Sequence, residues 1–336
     1  MNTSFRLRLF VTSCCLTFCF AGWAPAQETA AKNEQNQSSG KIAADQESDS
    51  QEEISPLITA GELQKLIDSK PADLKVLEPG TSSRTYSQGH LPDAMFLHWV
   101  NDMTDLANAE KYNKPDAETF TKLMSKLGIR NSDRVVIYDR FTSRLSTRLF
   151  WTLKFYGHEK VQILNGGFAA WHSKSLKLTT DSPAVVQSDY KVTTTQEEIF
   201  AAMELVETQR KQADVRLVDG RPAAQFSGAE PGKVFHTNKA HARKGHIPGA
   251  ANVFWQDNFN ADGTFKSAVE LRKLYKDVNI EKDNRVITYC NEGLHAAPPW
   301  FVLTQLLEFK DVRLYDSSMA EWSQSTNPMA IKDGKK

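Results

Sequence analysis

Three short segments recur along the chain in the same order, and this duplication limits the fold to two copies of one domain. The matching pairs are GHLPDA at 89–94 with GHIPGA at 245–250, RVVIYD at 134–139 with RVITYC at 285–290, and VQIL at 161–164 with VRLY at 312–315. Each copy then reaches a tryptophan, Trp171 or Trp322. Within the last two pairs, equivalent residues are 151 positions apart. We therefore predict two similar domains, at residues 54–180 and 190–327.

The first 53 residues differ in character from the rest of the chain. Arg6 and Arg8 precede an apolar stretch, and Ala-Pro-Ala at 24–26 is a small-residue cleavage site. This pattern predicts a secretory signal peptide at 1–26, with an uncleaved anchor as the alternative. Residues 27–53 are polar and acidic, which predicts a disordered tether. We therefore expect an exported protein, periplasmic or secreted, that is free of the membrane once the signal is removed.

Each copy alternates short apolar strand patterns with helical patterns. In the second copy, residues 216–219, 285–289 and 312–315 are typical of strands. Residues 268–275 and 298–307 are typical of helices. This alternation predicts an α/β fold in which each domain has a mainly parallel sheet with helices on both faces.

Cysteine usage and charge exclude several classes of function. Cys14, Cys15 and Cys19 fall in the predicted signal, so Cys290 alone remains in the mature chain. One cysteine allows neither an internal disulfide nor a thiolate-rich zinc site. Lysine and arginine together number 41, as do aspartate and glutamate, so no basic field favours nucleic acid. No phosphate-binding glycine loop or spaced ligand set occurs either, and we predict neither a cofactor nor a metal.

Cys290 directly follows a predicted buried strand and precedes a tight loop and a helix. In open α/β sheets, ligands bind at the carboxyl ends of strands. The loop amides and the helix dipole there favour an anion, so we expect them to lower the thiolate pKa and to stabilise a persulfide. Gly293 suits a tight mid-loop turn, and Pro298 and Pro299 suit the first turn of the helix. An inert buried cysteine is the alternative.

The order of the motifs resembles the rhodanese family of two-domain sulfurtransferases over nearly all of residues 54–327. The motifs that carry the resemblance are the repeated segments above, YGH at 156–158, NGGF at 165–168, DGTFKS at 262–267 and YDSSMAEW at 315–322. The resemblance implies a first domain without the cysteine and an active-site loop that starts at Cys290. It also implies sulfur transfer from thiosulfate or 3-mercaptopyruvate, through a cysteine persulfide, to cyanide or a thiol, including a thiol protein. The predicted substrate-binding residues are Asn291, Glu292, Gly293, Leu294, His295 and Ala296.

The loop departs from the family pattern at several positions. Asn291 and Glu292 stand where thiosulfate-using members have basic residues, and Gln225 stands at the position of a family arginine. We expect Glu292 to oppose a dianionic donor. His295 replaces a usual hydroxyl residue and is expected either to offer a donor or positive charge to the leaving group or to be simply solvated. Lys239, Arg243 and Lys244 carry charges that could attract the donor, but we expect these three residues to be simply solvated.

Two alternatives remain. A cysteine-dependent phosphatase needs an arginine about six positions after the cysteine to grip phosphate, and Ala296 stands there. A non-catalytic sulfur carrier or binding module on the same scaffold is the stronger rival. We expect a monomer, with His90 and His246 in structural roles, Asp219 capping a turn, and the tryptophans Trp151, Trp171, Trp300 and Trp322 in the core.

Overall fold

Two parallel β-sheets of five strands each form the framework, as described by a computed structural model for residues 54–106, 113–235 and 237–331. The strands of the first sheet are β1 (Leu57–Ile58), β2 (Leu74–Gly80), β3 (Ala94–His98), β4 (Arg134–Ile137) and β5 (Val161–Leu164). Those of the second are β6 (Phe200–Ala201), β7 (Val215–Asp219), β8 (Ala250–Asn252), β9 (Arg285–Tyr289) and β10 (Val312–Tyr315). The spatial orders are β1-β5-β4-β2-β3 and β6-β10-β9-β7-β8, so the two sheets share one topology.

Helices connect the strands. In the first repeat they are α1 (Ala60–Ser69), α2 (Ser83–Ser87), α3 (Trp99–Met103), α4 (Ala117–Lys126), α5 (Arg144–Phe155) and α6 (Gly167–Ser173). In the second they are α7 (Met203–Gln209), α8 (Ala223–Ser227), α9 (Ala268–Lys276), α10 (Ala297–Phe301) and α11 (Ser318–Trp322). Two short 3₁₀ helices cover Glu197–Ile199 and Trp255–Asn258, and a π-helical turn covers Val302–Leu306.

Helix α9 shows how local sequence sets an element. Ser267 and Glu270 form a reciprocal capping box that satisfies amides at its first turn. Leu271 and Tyr275 are fully buried one turn apart, while the opposite face is solvated. The amphipathic pattern therefore determines which side of α9 packs on the sheet.

The structure confirms the predicted α/β class with parallel sheets covered on both faces. Adjacent residues Val286 and Ile287 of β9 belong to separate apolar clusters on opposite faces of the sheet. The predicted strands 285–289 and 312–315 are observed with the same bounds. The helix predicted at 298–307 is α-helical only as far as Phe301 and continues as the π-helical turn. The four tryptophans expected in the core are all buried.

Several predictions concern residues outside this description. The predicted signal peptide at 1–26 and tether at 27–53 lie outside the described residues, and the domain boundaries remain predictions. Among the helices that the structure does describe, none has the length and apolar character needed to cross a bilayer.

The two repeats face each other through equivalent elements, α5 and α10. Rings of Phe150 and Phe301, which are equivalent residues, meet edge to face with centroids 4.9 Å apart. The N–H of Phe265 donates to Oδ1 of Asn165 at 2.9 Å. The equivalent bond runs from the N–H of Lys114 to Oδ2 of Asp316 at 2.8 Å. The contact between the repeats therefore has approximate twofold symmetry.

Candidate active site

Strand β9 delivers Cys290 to the carboxyl edge of the second sheet, immediately before the loop that leads to α10. The cysteine is 1% exposed and is the one free cysteine among the described residues. It lines a cavity of about 200 Å³ together with Asn291, Glu292, Leu294 and His295. The thiol is therefore buried in the protein yet borders a space that a small molecule can enter.

Backbone N–H groups surround the sulfur of Cys290. Those of Glu292, His295 and Ala296 act on the thiol and each lowers its pKa. Gly293 allows this curvature because its φ is 80°, and a Cβ placed there would lie 2.5 Å from Oδ1 of Asp316. The predicted amide cradle around the thiol is thus present.

The predicted lowering of the Cys290 pKa is wrong. Burial raises the pKa of the Cys290 thiol to about 11. The three amides lower it, but the negative charge of Glu292 adds to the rise. Loss of hydration penalises the thiolate more than the amides stabilise it, a balance that depends on burial and so cannot be deduced from the loop sequence.

Ser318 holds both ends of the first turn of the loop. Its Oγ accepts the N–H of Cys290 at 3.0 Å and that of Gly293 at 3.2 Å, and it donates to the carbonyl of Tyr315 at 2.7 Å. Ser318 has a φ of 50°, a conformation that non-glycine residues rarely adopt. Ser318 was not among the site residues predicted from the sequence. A signal was present, because the equivalent residue of the first repeat is Gly167, which suits the same φ.

Glu292 is buried without a cationic hydrogen-bond partner. It is 2% exposed, and its Oε1 accepts the N–H of Phe235 at 2.9 Å. Burial raises the pKa of Glu292 to about 8, against the lowering effect of the Phe235 amide and of Arg148 and Arg144. The carboxyl group is therefore mostly neutral at pH 7, and the expectation that it opposes a dianionic donor is wrong at that pH.

His295 faces the first repeat and carries no charge at neutral pH. Its ring stacks on Trp255 with centroids 5.0 Å apart, and its Nε2 lies 3.4 Å from Nη1 of Arg144. Burial, together with the charge of Arg144, lowers the pKa of His295 to about 3. The predicted positive charge is therefore wrong. Because arginine only donates, Nε2 accepts and the ring proton sits on Nδ1.

Asn291 links the loop to two neighbouring segments. Its Nδ2 donates to Oε1 of Gln225 at 3.0 Å, and its Oδ1 accepts from Nε2 of His241 at 2.9 Å. Gln225 also lines the cavity, at the position where the family pattern has an arginine. Leu294 contributes an apolar wall to the same cavity. Of the predicted binding residues, Asn291, Glu292, Leu294 and His295 line the cavity, whereas Gly293 and Ala296 do not. Their role in substrate binding stays a prediction.

The basic residues considered from the sequence are not those that line the cavity. Arg243 donates to the carbonyls of Trp322, Ser323, Ser325 and Asn327, and so has a structural role. The lysine in the cavity wall is Lys233, on a segment that forms an antiparallel bridge from Lys233 to Ala240.

The remaining polar residues have structural contacts. His90 stacks on Tyr86 at 3.8 Å and His246 on Phe226 at 3.7 Å, as the structural roles predicted for both histidines require. Asp219 is fully buried and pairs with Arg221 at 2.6 Å, rather than only capping a turn.

Asp139 occupies the position of the cysteine in the first repeat. Its carboxylate accepts the N–H groups of Phe141 at 2.7 Å, Ser143 at 3.0 Å and Ser146 at 2.7 Å. A fixed carboxylate therefore fills the first amide cradle, and among the described residues only the second cradle holds a thiol. No group of three or more His, Cys, Asp or Glu side chains in the described ranges is placed to bind a metal ion.

Comparison with known proteins agrees with this geometry. The profile of the Rhodanese-like domain matches the chain twice, at residues 50–174 and 202–325. The chain belongs to the rhodanese-like family. A putative thiosulfate sulfurtransferase of Haloferax volcanii is 34% identical over 79% of this chain and 92% of its own. The thiosulfate sulfurtransferase of Corynebacterium glutamicum is 35% identical over 78% of this rhodanese-like chain and 85% of its own.

Two further comparisons extend the range of relatives. The sulfur carrier protein TtuD of Thermus thermophilus is 35% identical over 74% of this chain and 87% of its own. The anaerobic ergothioneine biosynthesis enzyme of Chlorobium limicola has the same fold, with a TM-score of 0.73 at 21% identity over 83% of this chain and 71% of its own. The predicted family, tandem architecture and sulfurtransferase class are thus confirmed.

Proposed function

We propose that this rhodanese-like protein carries sulfane sulfur as a persulfide on Cys290, between a small donor and a thiophilic acceptor. The observation that supports this most directly is the convergence of three backbone N–H groups on a thiol that borders a cavity. The terminal sulfur of a persulfide carries a negative charge, which such a cradle stabilises. The free thiol is protonated and gains less from the same N–H groups.

Transfer proceeds by double displacement. With thiosulfate, the Cys290 sulfur forms a bond to the outer sulfur, and the sulfur–sulfur bond of the donor breaks with its electron pair leaving on sulfite. With 3-mercaptopyruvate, the carbon–sulfur bond breaks and the pair leaves on pyruvate enolate. An acceptor thiolate or cyanide then attacks the outer persulfide sulfur, and the electron pair returns to Cys290. Two half-reactions of this kind predict ping-pong kinetics.

The loop favours 3-mercaptopyruvate over thiosulfate. None of the residues from Asn291 to Ala296 carries a positive charge at neutral pH, and Lys233 is the one cation that lines the cavity among the described residues. Thiosulfate brings two charges into this space, whereas the carboxylate of mercaptopyruvate brings one. Desolvation of the second charge needs a partner that the loop does not supply.

A sulfur carrier with little turnover is the second candidate. The similarity to the sulfur carrier protein of Thermus thermophilus supports it. Multiple turnover with cyanide or a thiol supports the enzyme, whereas one sulfur per chain without turnover supports the carrier.

Intact-mass measurement of the purified protein tests the proposal. We expect incubation with either donor to add about 32 Da, one sulfur atom, to the chain, as persulfidation requires. Cys290→Ser should show neither the mass gain nor turnover, because its hydroxyl cannot form the persulfide. Equal sulfuration of Cys290→Ser would reject the site.

We also propose that the protein is exported. The support is the arrangement of Arg6, Arg8, the apolar stretch and the small-residue cleavage site in the sequence. N-terminal sequencing of the protein from fractionated cells checks this, with a mature chain that starts near Gln27 as the expected result.

A further inference from the structure

We propose that the Glu292 carboxylate is the base that takes the proton from the Cys290 thiol and returns it to the leaving group. This inference rests on the proposed function, since it assigns a proton path to sulfur transfer at Cys290. It gives Glu292 a catalytic role in place of the simple electrostatic effect expected from its charge.

The first support is position. Glu292 and Cys290 line the same cavity, and the N–H of Glu292 lowers the pKa of the Cys290 thiol. The negative charge of Glu292 also acts on the thiol. A group two residues from the nucleophile and in the same cavity can exchange a proton with it directly or through one water.

The second support is a carboxylate oxygen that lacks a protein partner. Oε1 is held by the Phe235 amide, but Oε2 is buried and has no hydrogen-bond partner. A buried, unbonded carboxylate oxygen is costly and rare in folded proteins, and such exceptions concentrate at functional sites. Oε1 fixes the side chain, and Oε2 is left to bind a proton.

The third support is that the charges around Glu292 leave it able to titrate. The charges that act on Glu292 are those of Arg144 and Arg148 from α5. Lys233, Cys290 and His295 line the same cavity, and His241 bonds to the neighbouring Asn291. Arg221, which acts on Cys290, is paired with Asp219. Arg148 is engaged by Asp316 at 2.5 Å, and His241 and His295 are neutral because burial lowers the pKa of each, to about 4 and about 3. Glu292 is therefore the group in this cavity that changes charge near neutral pH, with a pKa of about 8.

The proton path balances without any further reactant. The thiol proton passes to Oε2 as the Cys290 sulfur bonds to the donor sulfur. The donor bond then breaks with its electron pair on the leaving group. The proton moves from Glu292 to that group, giving hydrogen sulfite from thiosulfate or pyruvate from the enolate. Cys290 ends as the persulfide and Glu292 as the carboxylate.

Single-turnover sulfur loading of Glu292→Gln tests the role, with quenching at intervals and intact-mass readout. Glutamine keeps an oxygen for the Phe235 amide but cannot accept the thiol proton. We expect loading at pH 8 to slow by about 100-fold, the lower end of what general acid–base catalysis contributes. Glu118→Gln, which removes an exposed carboxylate in the first repeat, is the matched control and should load at the wild-type rate.

The pH profile separates catalysis from a structural effect. We expect the wild-type rate to rise up to about pH 8, where Glu292 ionises, and then to level off. The Glu292→Gln rate should keep rising above that pH, because it depends on the Cys290 thiolate. Donor ionisation affects both proteins equally and cancels in the ratio of their rates.

Two results would overturn the inference, and a failure of the wild type would count against the proposed function instead. Equal or faster loading by Glu292→Gln would overturn the inference, because a carboxylate that only repels the thiolate predicts that outcome. A variant profile that still levels off near pH 8 would overturn it as well. Glu292→Asp should retain the levelling at a lower rate. Failure of the wild type to load from any donor would instead reject the proposed function, so the two failures are distinguishable.

Discussion

Arg144 of the first repeat donates to Nε2 of His295 in the second repeat at 3.4 Å, and the two residues occupy the same position in their repeats. The guanidinium also lies over the ring of Phe235, 4.8 Å from its centroid. The repeat that lacks the cysteine therefore contacts two residues, His295 and Phe235, that line the cavity of the other.

Arg144→Met should raise the pKa of His295. Burial is the larger cause of its low value of about 3, and the arginine charge is the second. We therefore expect a rise that stays below the ordinary value of 6.5. Titration of the ring by NMR measures it. Lys282→Met, which removes an exposed cation that pairs with Glu308, is the control and should leave the His295 pKa unchanged.

Substitution of Ser318 should loosen the active loop. Ser318→Ala leaves the buried N–H groups of Cys290 and Gly293 without their acceptor, which typically costs about 1–3 kcal/mol. Ser318→Gly loses the same bonds but relieves the left-handed backbone, so it should be the less destabilised of the two. Urea unfolding measures stability, and slower sulfur loading in both variants is expected. Unchanged stability in Ser318→Ala would show that the hydrogen bonds of Ser318 to the loop do not stabilise the protein.

Acidification should destabilise the protein through His158, which is buried in the first repeat. Burial lowers the pKa of His158 to about 4 from an ordinary value of 6.5. Between these values the unfolded chain binds more protons than the folded one, so stability falls as pH falls below 6.5. The free energy of unfolding should therefore be about 2 kcal/mol lower at pH 5 than at pH 7, at about 1.4 kcal/mol per pH unit.

Comparison of the wild type with His158→Gln isolates that contribution. The variant has no titrating ring at this position, while His241 and His295 remain in both proteins. The loss of unfolding free energy from pH 7 to pH 5 should be smaller in the variant by about that 2 kcal/mol. Equal losses in the two proteins would show that His158 already binds its proton in the folded state.

Features that depend on local pattern could be predicted from the sequence. The bounds of β9 and β10 follow from short apolar runs between turn residues, and the cradle follows from a cysteine between such a strand and a helix. Gly293 was recognisable because a tight turn needs positive φ. The constant spacing between the matching segments indicated that the two repeats are equivalent.

Features that depend on contacts distant in sequence could not be predicted. Arg144 and Arg148 reach the active loop only because α5 packs against α10, and no motif near either residue indicates this. The protonation states of Cys290, Glu292 and His295 were mistaken for a related reason. Burial has the largest effect on each of these protonation states. Burial depends on how the domains pack together and not on the residues next to each group in the sequence.

The paired bonds from Phe265 to Asn165 and from Lys114 to Asp316 make the contact between the repeats self-complementary, as in a dimer of identical subunits. Fusion of two such subunits preserves the contact while releasing one copy from the need to react. Asp139 then fills the first cradle in place of a thiol, and Cys290 is the one thiol among the described residues. The two repeats of one chain thus pack like the subunits of a homodimer, but only the second repeat carries a reactive thiol among the described residues.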